Sequence, residues 1–128
     1  MTLEHEDLTS KIIGAAIEVH KALGPGYVES VYENALALEL RTREIPMKRQ
    51  FTVPVVYQGC EVGMHRLDLF VEDQIVVELK AVKAIEDIHF AVTRSYLRAV
   101  GKEHGLILNF AKTTLEIKRV IASEWPTR

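Results

Sequence analysis

Two acidic side chains, Asp68 and Glu78, are predicted to face each other across a pair of antiparallel strands. The strands flank a short polar turn, and a symmetric reversal about Asp73 places Asp68 opposite Glu78 and Arg66 opposite Lys80. Directly opposed residues lie about 5 Å apart on one face of a sheet, where like charges are destabilising. Hard divalent cations prefer several carboxylate oxygens close together. The opposed acids therefore predict a metal site.

Lys80 follows Glu78 by two residues, so both side chains project from the same face of the strand. A divalent ion held by Asp68 and Glu78 would polarise a phosphate oxygen and make a water molecule more acidic. Lys80 would orient that water or neutralise the developing negative charge. The alternative is an exposed sheet face whose Lys–Glu pair contributes about 0.5 kcal/mol.

Two further charged groups have a functional and a structural interpretation. Glu29 and Glu33 lie four residues apart near the start of a predicted helix, where the helix dipole favours acids. Either one would also supply a third carboxylate to a metal site. Arg94 and Arg98 form a basic stripe with Lys102, which is either a phosphate-binding surface or a solvated helix face.

Composition limits the class of protein. The chain has 128 residues, 48% of them hydrophobic, a net charge of −2 and a pI near 6.2. These values predict one domain spanning residues 1–128, and they argue against nucleic-acid binding by bulk charge. The acidic N-terminal segment, the single Cys60 and the lack of a long apolar run predict a cytoplasmic protein with no membrane segment. The histidine spacing does not match a zinc site.

Hydrophobic periodicity predicts three helices and five strands. The helices are predicted at residues 8–23, 27–43 and 87–100, and the strands at 50–57, 60–71, 75–82, 105–110 and 115–121. Thr9 or Ser10 would cap the first helix, and Pro54 places the first strand at a sheet edge. The helix between the third and fourth strands predicts a parallel crossover and therefore a mixed sheet.

The apolar residues predict which faces form the core. One face of the central hairpin is wholly apolar, comprising Leu67, Leu69, Val71, Ile75, Val77 and Leu79. The second helix is predicted to bury Val28, Val31, Tyr32, Ala35, Leu36 and Leu38, and the third to bury Ile88, Val92, Tyr96, Ala99 and Val100.

The chain resembles the GxxExxY protein family, whose signature matches Gly26, Glu29 and Tyr32. The other blocks of that family match in order at residues 66–71, 77–82, 96–97 and 105–110. The family is placed in the PD-(D/E)XK nuclease superfamily. The resemblance implies an α/β fold (an α+β mixed sheet) with a restriction-endonuclease-like core. That core is a helix, a three-strand meander, a helix and a strand, here with an extra N-terminal helix and a C-terminal strand.

The resemblance also implies roles for individual residues. Asp68 and Glu78, with the backbone carbonyl of Leu79, would hold Mg²⁺ or Mn²⁺. Lys80 would be the catalytic lysine and Glu29 the acid of the preceding helix. Glu33 is a further candidate for that acid.

The predicted function is metal-dependent hydrolysis of phosphodiester bonds in DNA or RNA, with Arg94 and Arg98 as nucleic-acid contacts. Val92 stands where relatives often carry a glutamine, which favours an alternative, a catalytically inactive module binding nucleic acid or a protein partner. A purely structural oligomer is a third interpretation. A homodimer would enlarge the small surface that one chain offers to a duplex.

Overall fold

The computed structural model describes the backbone of residues 3–122 and the side chains of residues 5–122. Its elements are α1 (Leu3–Leu23), α2 (Glu29–Thr42), β1 (Met47–Tyr57), β2 (Cys60–Val71), β3 (Ile75–Lys80), α3 (Asp87–Val100), β4 (His104–Asn109) and β5 (Glu116–Ile121). The predicted order of elements is confirmed. The sequence also predicts a C-terminal tail at residues 125–128, which lies outside the described residues.

The strands form a single five-stranded sheet in the order β1-β2-β3-β4-β5. β3 and β4 pair in parallel, and the other neighbours pair antiparallel, so the predicted mixed sheet is confirmed. β1 is an edge strand, as Pro54 predicts, because proline cannot donate a ladder hydrogen bond. Among residues 3–122, no helix is long and apolar enough to cross a membrane.

Two hydrophobic clusters lie on opposite faces of the sheet. The first core packs α1 and α2 on the sheet through residues such as Ile12, Tyr32, Leu36, Val77 and Phe110. The second core packs α3 on the other face, with Leu67, Phe70, Val76, Leu97, Ile107 and Val120 fully or almost fully buried. The sheet therefore carries helices on both faces, and its central strands are apolar on both sides.

The predicted apolar face of the hairpin is confirmed except at one residue. Leu69, Val71, Ile75, Val77 and Leu79 belong to the first core. The prediction for Leu67 is wrong, since Leu67 belongs to the second core. Leu67 and Phe70 lie three residues apart on the same face, so the regular alternation of β2 is broken between them.

The helix predictions need three corrections. α1 begins at Leu3, so Thr9 and Ser10 lie inside the helix and do not cap it. In α2, Val28 and Leu38 are exposed, because the buried line of the helix runs through Tyr32, Glu33, Leu36, Ala37 and Leu40.

The buried line of α3 is also displaced from the predicted one. Ile88 and Val92 are exposed, whereas Thr93 and Leu97 are buried. Both buried side chains approach Gly105 of β4, where an added Cβ would lie 3.3 Å from Cγ2 of Thr93 and 3.1 Å from the carbonyl oxygen of Val76. The missing side chain at Gly105 thus allows Thr93 and Leu97 of α3 to approach the sheet closely.

Candidate active site

The two acids lie where β2 and β3 separate. The strands pair from Val71 and Ile75 to Leu69 and Val77, in the predicted register, and the ladder ends there. Beyond this point, the backbone N–H of Asp68 donates to Oε2 of Glu78 at 3.0 Å. The backbone N–H of Leu79 donates to Oδ2 of Asp68, also at 3.0 Å. Carboxylates thus replace the ladder hydrogen bonds, and both acids lie between the strands.

The predicted pairing of Arg66 with Lys80 is wrong because the strands have already separated. Arg66 pairs with Thr52 of β1, and Lys80 pairs with Asn109 of β4. Lys80 is the last residue of β3 and is half-buried. It therefore remains beside the acids without facing a second cation.

The turn between β2 and β3 fixes the register of the acids. Glu72 and Asp73 adopt positive φ values of 51° and 53°. The N–H of Gln74 donates to the carbonyl of Val71 at 2.9 Å. This tight reversal sets which residues of β2 lie opposite which residues of β3. A slip of one residue would move the side chains of one strand to the other face of the sheet.

Burial dominates the electrostatics of the pair. Glu78 is only 4% exposed. Burial raises its pKa to about 8, and the Asp68 carboxyl adds to this effect through its charge and a side-chain hydrogen bond. Burial also raises the pKa of Asp68, with smaller upward contributions from Glu33 and Glu29. At neutral pH, without a cation, the pair therefore retains a proton.

Lys80 opposes the rise in the pKa of the two acids. Its ammonium group lowers the pKa of both Asp68 and Glu78, but less than burial raises them. Its carbonyl accepts the N–H of Phe110 at 2.9 Å, which fixes the end of β3 against the chain after β4. The lysine is thus anchored by its backbone, and its charge acts on both acids.

Glu29 reaches the same end of β3 from the start of α2. Its Oε2 accepts the backbone N–H of Ala81 at 3.2 Å. Two neighbours in the Gly-x-x-Glu-x-x-Tyr segment have structural roles that explain the spacing. Gly26 adopts a φ of 117°, which strongly favours glycine. The hydroxyl of Tyr32 donates to the carbonyl of Gly24 at 2.6 Å and closes the loop before α2.

Glu33 is a buried acid with a compensated charge. Its Oε2 accepts Nη2 of Arg49 at 3.0 Å, and its Oε1 accepts Nε2 of Gln50 at 2.6 Å. Its charge still raises the pKa of Asp68, more than that of Glu29 does. Glu33 thus lies close enough to act on the acid pair while bound to other partners.

Two residues near the acids were not predicted as part of the site. Tyr96 of α3 has a raised pKa, caused first by burial and then by the charges of Glu78 and Asp68. Asn109 is fully buried, and its side chain accepts the N–H of Val82 at 3.1 Å and donates to the carbonyl of Val82 at 2.9 Å. An asparagine ending a buried strand was the available signal for this clamp.

The predicted basic residues both lie on α3. Arg98 is exposed on α3 and lowers the pKa of His65, and Arg94 is half-buried on the same helix. Within residues 3–122, no cluster of three or more His, Cys, Asp or Glu side chains is arranged to hold a metal ion. A cation at this site would therefore depend on Asp68, Glu78 and backbone oxygen such as the Leu79 carbonyl.

No curated protein matches this sequence. The fold is similar to that in the "Crystal structure of SSO0001", with a TM-score of 0.58 and 14% identity. That match covers 72% of this chain and 48% of the other, so the chain spans about half of the other's length. The sequence model of the PD-(D/E)XK nuclease superfamily matches residues 6–120. Because this match includes all the acids of the site and nearly the whole chain, the chain belongs to the PD-(D/E)XK nuclease superfamily.

Proposed function

We propose that the chain is a metal-dependent nuclease that hydrolyses phosphodiester bonds in DNA or RNA. The observation that carries this proposal is the buried Asp68–Glu78 pair at the point where β2 and β3 separate. Superfamily membership supports the reaction class, and Lys80 beside the acids supports chemistry on a negatively charged substrate.

The donor set suits a hard divalent cation. Burial raises the pKa of both Asp68 and Glu78, and Asp68 raises that of Glu78 further, so a cation between them would stabilise both ionised carboxylates. Together with the Leu79 carbonyl, these oxygens are the ligands that Mg²⁺ or Mn²⁺ prefers. When bound, such an ion supplies Lewis-acid stabilisation of phosphate charge and makes water more acidic.

Lys80 and Glu29 complete the proposed site. Lys80 donates a hydrogen bond to a phosphate oxygen or to the attacking water, and its charge stabilises the negative transition state. Glu29 holds the backbone just after Lys80 through the N–H of Ala81. It therefore positions the lysine and adds negative charge beside Asp68.

Cleavage of labelled single-stranded and duplex DNA and RNA with Mg²⁺ or Mn²⁺ tests the proposal. Wild-type protein should cleave at least one of these substrates, and chelation with EDTA should stop cleavage. Asp68→Asn should reduce the rate to background, and Lys80→Met should reduce it about 100- to 1,000-fold. Asp73→Asn, which changes an exposed acid of the adjacent turn, is the matched control and should retain wild-type activity. If wild-type protein cleaves no form of nucleic acid, the enzymatic proposal fails.

A second candidate function is a nuclease-fold module that binds without catalysis. It is favoured by Val92, which is exposed on α3 and cannot donate a hydrogen bond to a phosphate or hold the lysine as a glutamine could. Calorimetric titration with Mg²⁺ and Mn²⁺ separates the two functions. Metal binding that disappears in Asp68→Asn supports the nuclease, and absent or unchanged binding supports the non-catalytic module.

A further inference from the structure

A groove with basic side chains lies between the β1–β2 hairpin and α3. It has a volume of about 320 Å³ and is lined by Pro54, Val55, Val56, His65, Ser95, Arg98 and Ala99. The hairpin supplies apolar residues of β1 and the His65 imidazole of β2, and α3 supplies the Arg98 guanidinium. A groove that combines apolar residues with a guanidinium suits a chain that carries both apolar rings and phosphates.

The hydrogen bonds of Ser95 define which partner donates in its contact with His65. The Ser95 hydroxyl donates to the carbonyl of Val92 at 2.6 Å, so its only proton is used. Its oxygen lies 3.1 Å from Nε2 of His65 and therefore accepts a hydrogen bond from the N–H of that nitrogen. This direction excludes activation of Ser95 as a nucleophile by His65. Ser95 instead holds the imidazole in place.

The Arg98 guanidinium lies close enough to His65 to act on the charge of its imidazole. Burial and the nearby Arg98 guanidinium both lower the pKa of His65. A bound anion would reverse the second effect, because it would interact favourably with both groups. The part of the groove formed by His65 and Arg98 is therefore better suited to a phosphate than to a cationic or neutral ligand.

The groove leads toward the acid pair along two elements. His65 precedes Asp68 by three residues on β2, a distance of about 10 Å along a strand. The ring of Tyr96 lies between these points, since its centroid is 4.6 Å from that of His65 and its pKa responds to Asp68. One end of this path is acidic and suits a metal ion, and the other is basic.

We propose that this groove binds a phosphodiester of the substrate strand, next to the one that undergoes hydrolysis, through Arg98 and His65. Ser95 acts as a positioning residue for His65. The inference rests on the proposed function for the identity of the ligand, a nucleic-acid strand, but binding at the groove needs no metal ion. His65 and Ser95 thereby have a role in binding. Of the two arginines on α3, the proposed contact includes Arg98 and not Arg94.

Binding of a fluorescently labelled single-stranded oligonucleotide, measured by anisotropy in EDTA over a series of salt concentrations, tests the groove without cleavage. Arg98→Met should weaken binding about tenfold at low salt and reduce the slope of log affinity against log salt by about 0.7. His65→Gln should weaken binding less, because glutamine can still donate to Ser95. Lys118→Met is the charge-matched control, since Lys118 is an exposed cation on β5, three strands away from β2.

Equal losses in Arg98→Met and Lys118→Met would overturn the proposal, because they would indicate diffuse charge attraction. Wild-type binding by Arg98→Met, or no binding by the wild type, would also overturn it. Failure of cleavage with Mg²⁺ or Mn²⁺ would instead contradict the nuclease and leave this binding result intact.

Inorganic phosphate provides a second probe that does not depend on the nucleic acid. Phosphate should shift the imidazole nitrogen resonances of His65 in nuclear magnetic resonance spectra, and Arg98→Met should reduce the shift. His20 is the internal control, because its Nε2 is bonded to the carbonyl of Lys112 at 2.8 Å beside the first core. Equal shifts at both histidines, or no shift at His65, would contradict a phosphate site in the groove.

Discussion

Among the described residues, two glutamates are almost fully buried, but only one of them has a nearby cation that compensates its charge. Glu33 receives hydrogen bonds from the Arg49 guanidinium and from the amide of Gln50. Glu78 receives the backbone N–H of Asp68 and faces a second carboxyl group. Burial and that carboxyl raise the pKa of Glu78 to about 8.

Glu33 has the surroundings of a structural acid, whereas Glu78 has surroundings that suit a ligand. A buried charge is tolerated when it is paired and hydrogen-bonded, and otherwise it shifts its pKa and becomes neutral. Glu33 meets the first condition with residues of its own chain. Glu78 does not, because Lys80 only partly offsets the burial and the repulsion from Asp68. The deficit of positive charge at Glu78 is what a divalent cation would supply.

Glu78→Gln is expected to have the largest effect on stability, and the effect should depend on pH. Below pH 4.5 the carboxyl is protonated in both the folded and the unfolded chain, so it contributes no pH dependence. Between pH 4.5 and about 8 the unfolded chain releases this proton and the folded chain keeps it. The free energy of unfolding should therefore fall as pH rises, by up to roughly 1.4 kcal/mol per pH unit.

Urea unfolding followed by circular dichroism at pH values from 5 to 8, in EDTA, checks this expectation. The wild type should lose stability across the series, and Glu78→Gln should lose much less, because the glutamine cannot ionise and can still accept the N–H of Asp68. Glu33→Gln is the comparison variant. A wild-type curve parallel to that of Glu78→Gln would show that the two buried glutamates do not differ in this way.

Arg49→Met is the next largest change, and it acts on the other side of the comparison. It removes the cation that pairs with Glu33 and leaves a carboxylate that is only 8% exposed. Hydrogen bonds to charged groups contribute about 1.5–3 kcal/mol, and the partial exposure of Arg49 reduces this, so we expect a loss of about 1–2 kcal/mol. Chemical denaturation at pH 7 measures it.

Lys11→Met is the control for loss of a positive charge. Lys11 pairs with Asp7 at 3.2 Å, but both side chains are largely exposed, so the change should be small. The double variant Arg49→Met with Glu33→Gln should recover part of the loss, because the uncompensated charge is gone. An equal loss in Lys11→Met and Arg49→Met would remove the distinction between a compensated buried acid and a surface pair.

The sequence predicted the part of the fold that depends on local pattern. Alternation in 69–79 and a short polar turn were enough to predict the register of β2 and β3, and with it the position of Asp68 relative to Glu78. The crossover from β3 through α3 to β4 followed from element order and the buried character of β4. These features need only nearby residues to be specified.

The features that failed depend on contacts between distant residues. The buried side of α3 approaches the sheet closely at Gly105 on β4, and the periodicity within α3 alone placed Val92 wrongly. The partners of Glu33 lie 16 and 17 residues later, and Asn109 clamps Val82 across the end of the sheet. The separation of β2 from β3 also has no local signal, because the carboxyl groups themselves replace the ladder.

Gln50→Ala should have the smallest of these effects, and it shows how the charge of Glu33 is compensated. Gln50 adopts a φ of 49°, and its Nε2 donates to Oε1 of Glu33 at 2.6 Å. Alanine removes the hydrogen bond and keeps the strained backbone, so the free energy of unfolding should fall by about 1 kcal/mol. Gln50→Gly removes the same bond but relieves the left-handed strain, and it should be more stable than Gln50→Ala. If Gln50→Ala instead destabilises as much as Arg49→Met, the neutral amide compensates Glu33 as well as the cation does. The contrast with Glu78 would then concern hydrogen-bond donors and not positive charge.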